Sequence, residues 1–169
     1  MARLSIPKTY KLYIGGKFPR SESGYTFEVT TPKGDFLANA AKASRKDARD
    51  AVAAARAAQS GFAGLTAYNR GQILYRIAEV LEGRRDQFVE EIRASEGVSA
   101  QAANKQVDAA IDTWVWHSGF ADKYAQVAGN GNPVAGPYFN ISTPEPTGVV
   151  VALAPAGKAG ESLLGLSAV

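Results

Sequence analysis

The sequence predicts an α/β chain, and three observations carry that prediction. The first 43 residues alternate apolar and polar side chains around glycine and proline turns. Residues 44–126 repeat apolar positions at helical spacing in four segments. Then "VVVALAP", from Val149, reads as a strand buried on both faces, the pattern of parallel strands in an α/β layer.

The β start has two parts. In "YKLYIGGKFPRS", Tyr10, Leu12 and Ile14 alternate with Lys11 and Tyr13, and Gly15-Gly16 supplies a tight hairpin turn. In "YTFEVTTPKGDFLANAA", Phe27 and Val29 precede a Pro32/Gly34 turn, and Phe36 to Ala40 form the returning strand. Strands this short require a surface to pack on.

Helices follow from Ser44. "SRKD" reads as a capping box in which Asp47 replaces the usual Glu. Ala48, Ala51, Val52, Ala55 and Ala58 share one face, and their small size predicts close approach to another helix, ended by Gly61 and Gly64. A second helix starts near Tyr68, with Ile73, Leu74, Ile77, Ala78 and Leu81 inward and Gly83 at its end. A third covers about 84–95, with Phe88, Val89 and Ile92 inward. "SEGVS" then separates it from a fourth, about Ala100 to Gln126, whose stripe is Val107, Ala110, Ile111, Trp114 and Ala121. At ~1.5 Å per residue that helix would be about 40 Å long. "AGNGNPVAGP" reads as a loop, "YFNISTPEP" and "TGVVVALAP" as two strands, and "ESLLGLSAV" as the start of a fifth helix.

Composition narrows the chemistry. The chain has 169 residues, 46% hydrophobic and 21% charged, with a net charge of +3. That is ordinary for a globular chain and has no basic arm suited to nucleic acid. No apolar run is long enough to span a membrane, and the N-terminus lacks the apolar centre of a signal peptide, so a cytoplasmic protein is expected. With no cysteine there is no disulfide, thiolate zinc site or cysteine nucleophile.

Phosphate motifs fail in detail. Gly157-Lys158 is followed by Ala159 rather than Ser or Thr, and Ala152 stands where a Walker loop places its first glycine. Gly157 and Gly160 lack dinucleotide-fingerprint spacing, and the Gly129/Gly131 loop follows no strand. His117, the single histidine, reads as a packing or surface residue on the fourth helix, and no metal site is expected. Glu90, Glu91 and Glu96 read as a solvated face, Trp114 as core, and Asn140-Ile141-Ser142 as a chance glycosylation triplet.

The order of elements resembles the N-terminal region of the NAD(P)-dependent aldehyde dehydrogenase superfamily. The carriers are the "LYIGGKF" hairpin, "TFEVTTPKGDFLA", "SRKDARDAVAAARAA", "RGQILYRIAEVLEGRRDQ" and "EPTGVVVALAP", from about Lys11 to Pro155. The resemblance implies short β-hairpins, a layer of about four helices, an oligomerisation-arm strand and the first strand of a Rossmann-like cofactor sheet. The corresponding segments are 1–43, 44–126, 127–146 and 147–169. It implies that Leu153, Ala154, Pro155, Ala156 and Gly157 line a cleft for NAD or NADP by their backbone.

The sequence departs from the family at informative places. Ala156 and Gly157 stand where the family has tryptophan and the oxyanion-stabilising asparagine, and "SEGVS" replaces "ETGKP". The sequence also ends before the family's general-base glutamate and nucleophilic cysteine. The expectation is therefore the N-terminal part of an aldehyde-oxidising enzyme, inactive by itself, with no catalytic residue of its own and no tight cofactor binding. Its expected partner is a second copy, or the remainder of the fold, through Tyr138 to Leu153. A non-enzymatic interaction or scaffold module derived from the same fold is the alternative, and a nucleotide-binding module is a third.

Overall fold

The structure, a computed structural model, describes residues 8–153 and 162–168. Its β layer is a three-stranded sheet of β1 (Thr9–Tyr10), β2 (Thr26–Thr30) and β3 (Phe36–Ala41), in the order β1-β3-β2. β2 and β3 pair antiparallel as expected, with Phe27 opposite Ala40 and Val29 opposite Ala38. The turn between them closes through the Gly34 N–H on the Thr31 carbonyl at 2.9 Å, with Gly34 at φ +90°.

The Gly15-Gly16 turn also forms, both glycines having positive φ, while Ile14 and Lys17 exchange backbone hydrogen bonds at 3.0 and 3.1 Å. The hairpin continues to the Leu12 N–H, which donates to the Pro19 carbonyl at 3.1 Å, with the Tyr13 and Phe18 rings 5.1 Å apart across it. Before it the chain leaves the hairpin, and Tyr10 pairs parallel with Ala40 on the edge of β3.

Helix α1 (Arg45–Ala63) starts where the capping box places it: Ser44 accepts from the Asp47 N–H at 3.2 Å, and Asp47 accepts from the Ser44 N–H at 2.8 Å. Its alanine face does not meet another helix. Ala48, Ala55 and Ala58 are exposed, Ala51 is half-buried, and Val52 is 41% exposed. The closely packed helix pairs among the described residues form around α2 (Ala67–Gly83), α3 (Arg85–Glu96) and α4 (Ala100–Phe120), and α1 belongs to none of them.

The core lies between α2, α3 and α4. Ala78, Leu81, Val89, Ile92, Ala103, Val107 and Ile111 are buried together, and Ile77, Phe88, Val98 and Trp114 pack on them. Each large side chain so buried stabilises by roughly 1.5–3 kcal/mol relative to exposure. α2 and α4 approach closely at Gly71, where a Cβ would stand 2.8 Å from the Ser118 carbonyl oxygen.

α4 is shorter than its sequence pattern. It stops at Phe120, turns through 121–123, and a separate α5 (Tyr124–Ala128) follows. Gly71, one turn into α2, lies against Ser118 and Ala121, and Ala67 and Tyr68 before it border the same pocket as Asp122 and Lys123. The glycine- and asparagine-rich segment expected as a loop contains β4 (Asn130–Asn132), paired antiparallel with β5 (Asn140–Ser142). Cross-strand pairing defines that strand, although its composition is a loop's.

The second expected strand does not form over its described residues, 147–153. Residues 143–153 have no regular secondary structure, and no described residue pairs with 147–153. A parallel strand exists only beside its neighbours, and none of the described strands supplies one. The final helix is α6 (Ser162–Ala168), which packs on α4 with Leu163 against the core. No helix among the described residues is long and apolar enough to cross a membrane.

Candidate functional site

The region expected to hold a cofactor is only partly described. Leu153 is 85% exposed, at the end of the unpaired run. Ala154, Pro155, Ala156 and Gly157, and Lys158 beyond them, lie outside the described residues. The residues before them border a groove of about 850 Å³. One wall is the C-terminal half of α1, with Ala55, Ala58, Gln59 and Phe62; the other is Pro144 to Val150; Arg70 and Tyr124 complete it. Gly148, at φ +107°, brings this wall against α1, since a Cβ there would lie 3.7 Å from Nε2 of Gln59.

The groove suits an apolar surface better than a reaction. Phe62 is 48% and Val150 65% exposed. Its one cation among the described residues, Arg70, turns its guanidinium back to donate to the Leu65 carbonyl at 2.5 Å and the Ala63 carbonyl at 3.4 Å. Those bonds cap the end of α1 and hold the α1–α2 turn. No group of three or more His, Asp or Glu side chains able to hold a metal occurs among the described residues.

Two polar clusters go beyond what the sequence shows, the first of them built onto the Ser44–Asp47 cap. In the first, buried Asp47 accepts from the Ser21 hydroxyl at 2.7 Å and from the N–H groups of Ser44 and Glu22 at 2.8 and 3.3 Å. The Ser44 N–H and the Ser21 hydroxyl hold the Asp47 carboxyl down to about 2. A carboxylate so stabilised is a poor general base, so Ser21 and Asp47 tie structure together and do not form a nucleophile pair. In the second cluster, Glu96 is half-buried and accepts from Gln106 Nε2 at 3.2 Å, which corrects its reading as a solvated side chain; Glu90 and Glu91 are exposed as expected. The Ser44–Asp47 cap has a sequence motif, but the other contacts have none, because Ser21 and Asp47 are 26 positions apart and Glu96 and Gln106 lie on different helices.

His117 is exposed, its Nδ1 2.8 Å from the Thr113 carbonyl oxygen. Trp116, 60% exposed, stacks on Phe120 at 4.9 Å between ring centres and meets His117 edge-on, whereas Trp114 packs against the core.

Residues 18–155 match the aldehyde dehydrogenase family. The chain belongs to that family. Among curated relatives, DhaS of Bacillus subtilis is 32% identical over 151 residues, covering 87% of this chain and 30% of its own length. The alpha-ketoglutarate semialdehyde dehydrogenase of Haloferax volcanii is 34% identical over 148 residues, covering 86% of this chain and 30% of its own. The chain thus spans about 30% of the length of these aldehyde dehydrogenase family relatives.

Solved structures agree on the architecture. The salicylaldehyde dehydrogenase of Pseudomonas putida G7 superposes with a TM-score of 0.84 over 95% of this chain and 33% of its own, at 22% identity, a likeness of fold alone. PnpE, solved in complex with nicotinamide adenine dinucleotide, gives a TM-score of 0.72 at 27% identity over 78% of this chain and 27% of its own. The described structure is therefore an α/β N-terminal region of the aldehyde dehydrogenase fold, as the order of its sequence segments predicts.

Proposed function

We propose that this chain is the N-terminal part of an oxidoreductase that converts an aldehyde to an acid with NAD or NADP, and that the 169 residues alone do not turn over. The carrying observation is a family match over residues 18–155 that spans about 30% of the relatives' length. Aldehyde oxidation in this family proceeds through a thiol adduct, and the chain has no cysteine to form one.

The cofactor side of the proposal is Leu153, Ala154, Pro155, Ala156 and Gly157. A nicotinamide would accept the hydride there in the whole protein. The described residues do not fit that role unaided: Leu153 is 85% exposed and the run leading to it has no strand beside it. Dinucleotide sites in α/β folds use backbone fixed by a parallel sheet.

The domain division stated above, the cytoplasmic setting and the partner belong to the same proposal. Its support on the partner side is the exposed apolar run: Tyr138, Phe139, Ile141, Val150, Val151 and Leu153 all face solvent. We assign this run to contact with the rest of the fold or a second copy.

The test has two parts. Purified 169-residue chain is incubated with short aldehydes and NAD or NADP, and absorbance of the reduced cofactor is followed against a heat-killed control. No reduction is expected, and aldehyde-dependent turnover overturns the proposal. Intact mass of the protein from its native source then separates a segment of a longer enzyme from a scaffold module of this length.

A further inference from the structure

We propose that Glu96 and Gln106 form a polar latch that docks the start of α6 on the helical layer, so that α3 and α4, rather than a sheet, position this helix. The latch does not depend on the enzymatic reading. Its bearing on a cofactor side rests on that reading, because α6 is the first described helix after the Leu153 run.

The geometry uses each polar group once or more. Gln106 is only 3% exposed, so its amide needs partners inside the protein. Its Nε2 donates to Oε2 of Glu96 at 3.2 Å, and its Oε1 accepts from the Leu163 N–H at 2.9 Å. The other oxygen of Glu96 accepts from the Ser162 hydroxyl. An N–H in the first turn of a helix has no partner within that helix, and here α4 supplies one.

Glu96 is placed by its own element. It is the last residue of α3, where Gly97 at φ +68° reverses the chain toward the Ser99 cap of α4. The reversal brings the end of α3 beside Gln106. Leu163 then seats against the core next to the polar contact.

The contact adds a directed anchor to the apolar packing of α6 on α4. α6 has seven residues, and isolated helices shorter than ~12–15 residues are marginal in water. The described chain before it, 143–153, has no regular structure to fix its direction. Glu96 and Gln106 are therefore positioning residues that set where α6 sits.

Amide exchange measured by NMR on the full chain tests this. In Ser162→Ala the Leu163 amide is expected to exchange ~10–150-fold faster, the scale of one lost hydrogen bond to a charged acceptor. Ser162→Thr, which keeps the hydroxyl, is expected to retain the native rate, a rescue that loss of general packing would not give. Gln106→Leu is expected to accelerate Leu163 exchange as well, with Val107 and Ala110 of α4 unchanged. An unchanged Leu163 rate in Ser162→Ala, or an equal acceleration in Ser162→Thr, overturns the latch. An unchanged rate in Gln106→Leu also overturns it. If Gln106→Leu loosens α4 as well, the two Ser162 variants decide. Failure of the latch leaves the family match over 18–155 standing, and turnover by the chain alone leaves the latch standing.

Discussion

The Ser21 hydroxyl donates to Oδ2 of Asp47 at 2.7 Å, joining the segment after the Gly15-Gly16 turn to the first turn of α1. Asp47 thereby serves two elements: it completes the α1 cap with Ser44, and it satisfies the buried Ser21 and the Glu22 N–H.

Acid sensitivity follows. The folded Asp47 carboxyl titrates at about 2, below its ordinary 3.8, held there first by the Ser44 N–H and then by the Ser21 hydroxyl. Its contribution to stability is complete above the ordinary value and is lost as pH falls through 3.8 toward 2. Thermal unfolding of the native chain and of Asp47→Asn is expected to differ clearly at pH 6. The two curves are expected to converge by pH 2. Parallel curves down to pH 2 would remove Asp47 as the source.

Two glycines should respond oppositely to alanine. Gly97 has φ +68°, and a Cβ there would stand 2.9 Å from Cγ of Pro32, so Gly97→Ala meets both backbone strain and a neighbour. A loss of ~1–2 kcal/mol is expected. Gly61, within α1, has nothing within 4 Å, and Gly61→Ala is expected to gain ~0.5–1 kcal/mol. Urea unfolding of both variants checks the two signs.

Association is expected through the exposed run. Phe139 is 87%, Leu153 85% and Val151 73% exposed, and residues 147–153 pair with no described strand. Such a segment offers open backbone groups and apolar side chains to another chain. Light scattering at tens of micromolar is expected to show species larger than the monomer, and Val150→Lys is expected to shift them toward it. A clean monomer that Val150→Lys leaves unchanged excludes this surface.

Cofactor affinity of the chain alone is expected to be weaker than millimolar. Calorimetry with NAD, NADP and ATP checks this. A micromolar dissociation constant, abolished by Lys158→Ala, would instead make the 153–158 segment a working phosphate site.

The legible parts of the fold were those encoded locally. Ser44 and Asp47 announce the start of α1 because a cap is settled within four residues, and Gly34 announces the β2–β3 turn because only its backbone takes that φ without strain. The stripes through Ile77, Ala78 and Leu81, through Phe88, Val89 and Ile92, and through Val107 and Ile111 predicted the buried face, since those positions meet each other, whereas Ile73, expected inward, is 41% exposed. What remained hidden depends on partners. Val149 to Leu153 carry the composition of a buried strand, yet composition alone supplies no neighbouring strand. The end of α4 at Phe120 is marked by no proline or capping residue at 121–123. The α1 alanines fit close packing, but the described surroundings put no helix against them. The candidate site was least legible, because Gly148 meets Gln59, and Glu96 meets Gln106, only through the fold.

The placement of both tryptophans on α4 also governs how unfolding will be seen. Trp114 packs against the core while Trp116 is open to solvent and stacked on Phe120, so emission combines a sheltered and a wet indole from one helix. Neither lies in the β layer or on α1. A denaturation curve read by fluorescence therefore follows the helical core, and loosening of the sheet or α1 passes unseen by that probe. Far-ultraviolet circular dichroism, which α1 enters with 19 helical residues, would register such loosening first, making the gap between the two midpoints a direct gauge of how independently the layers come apart.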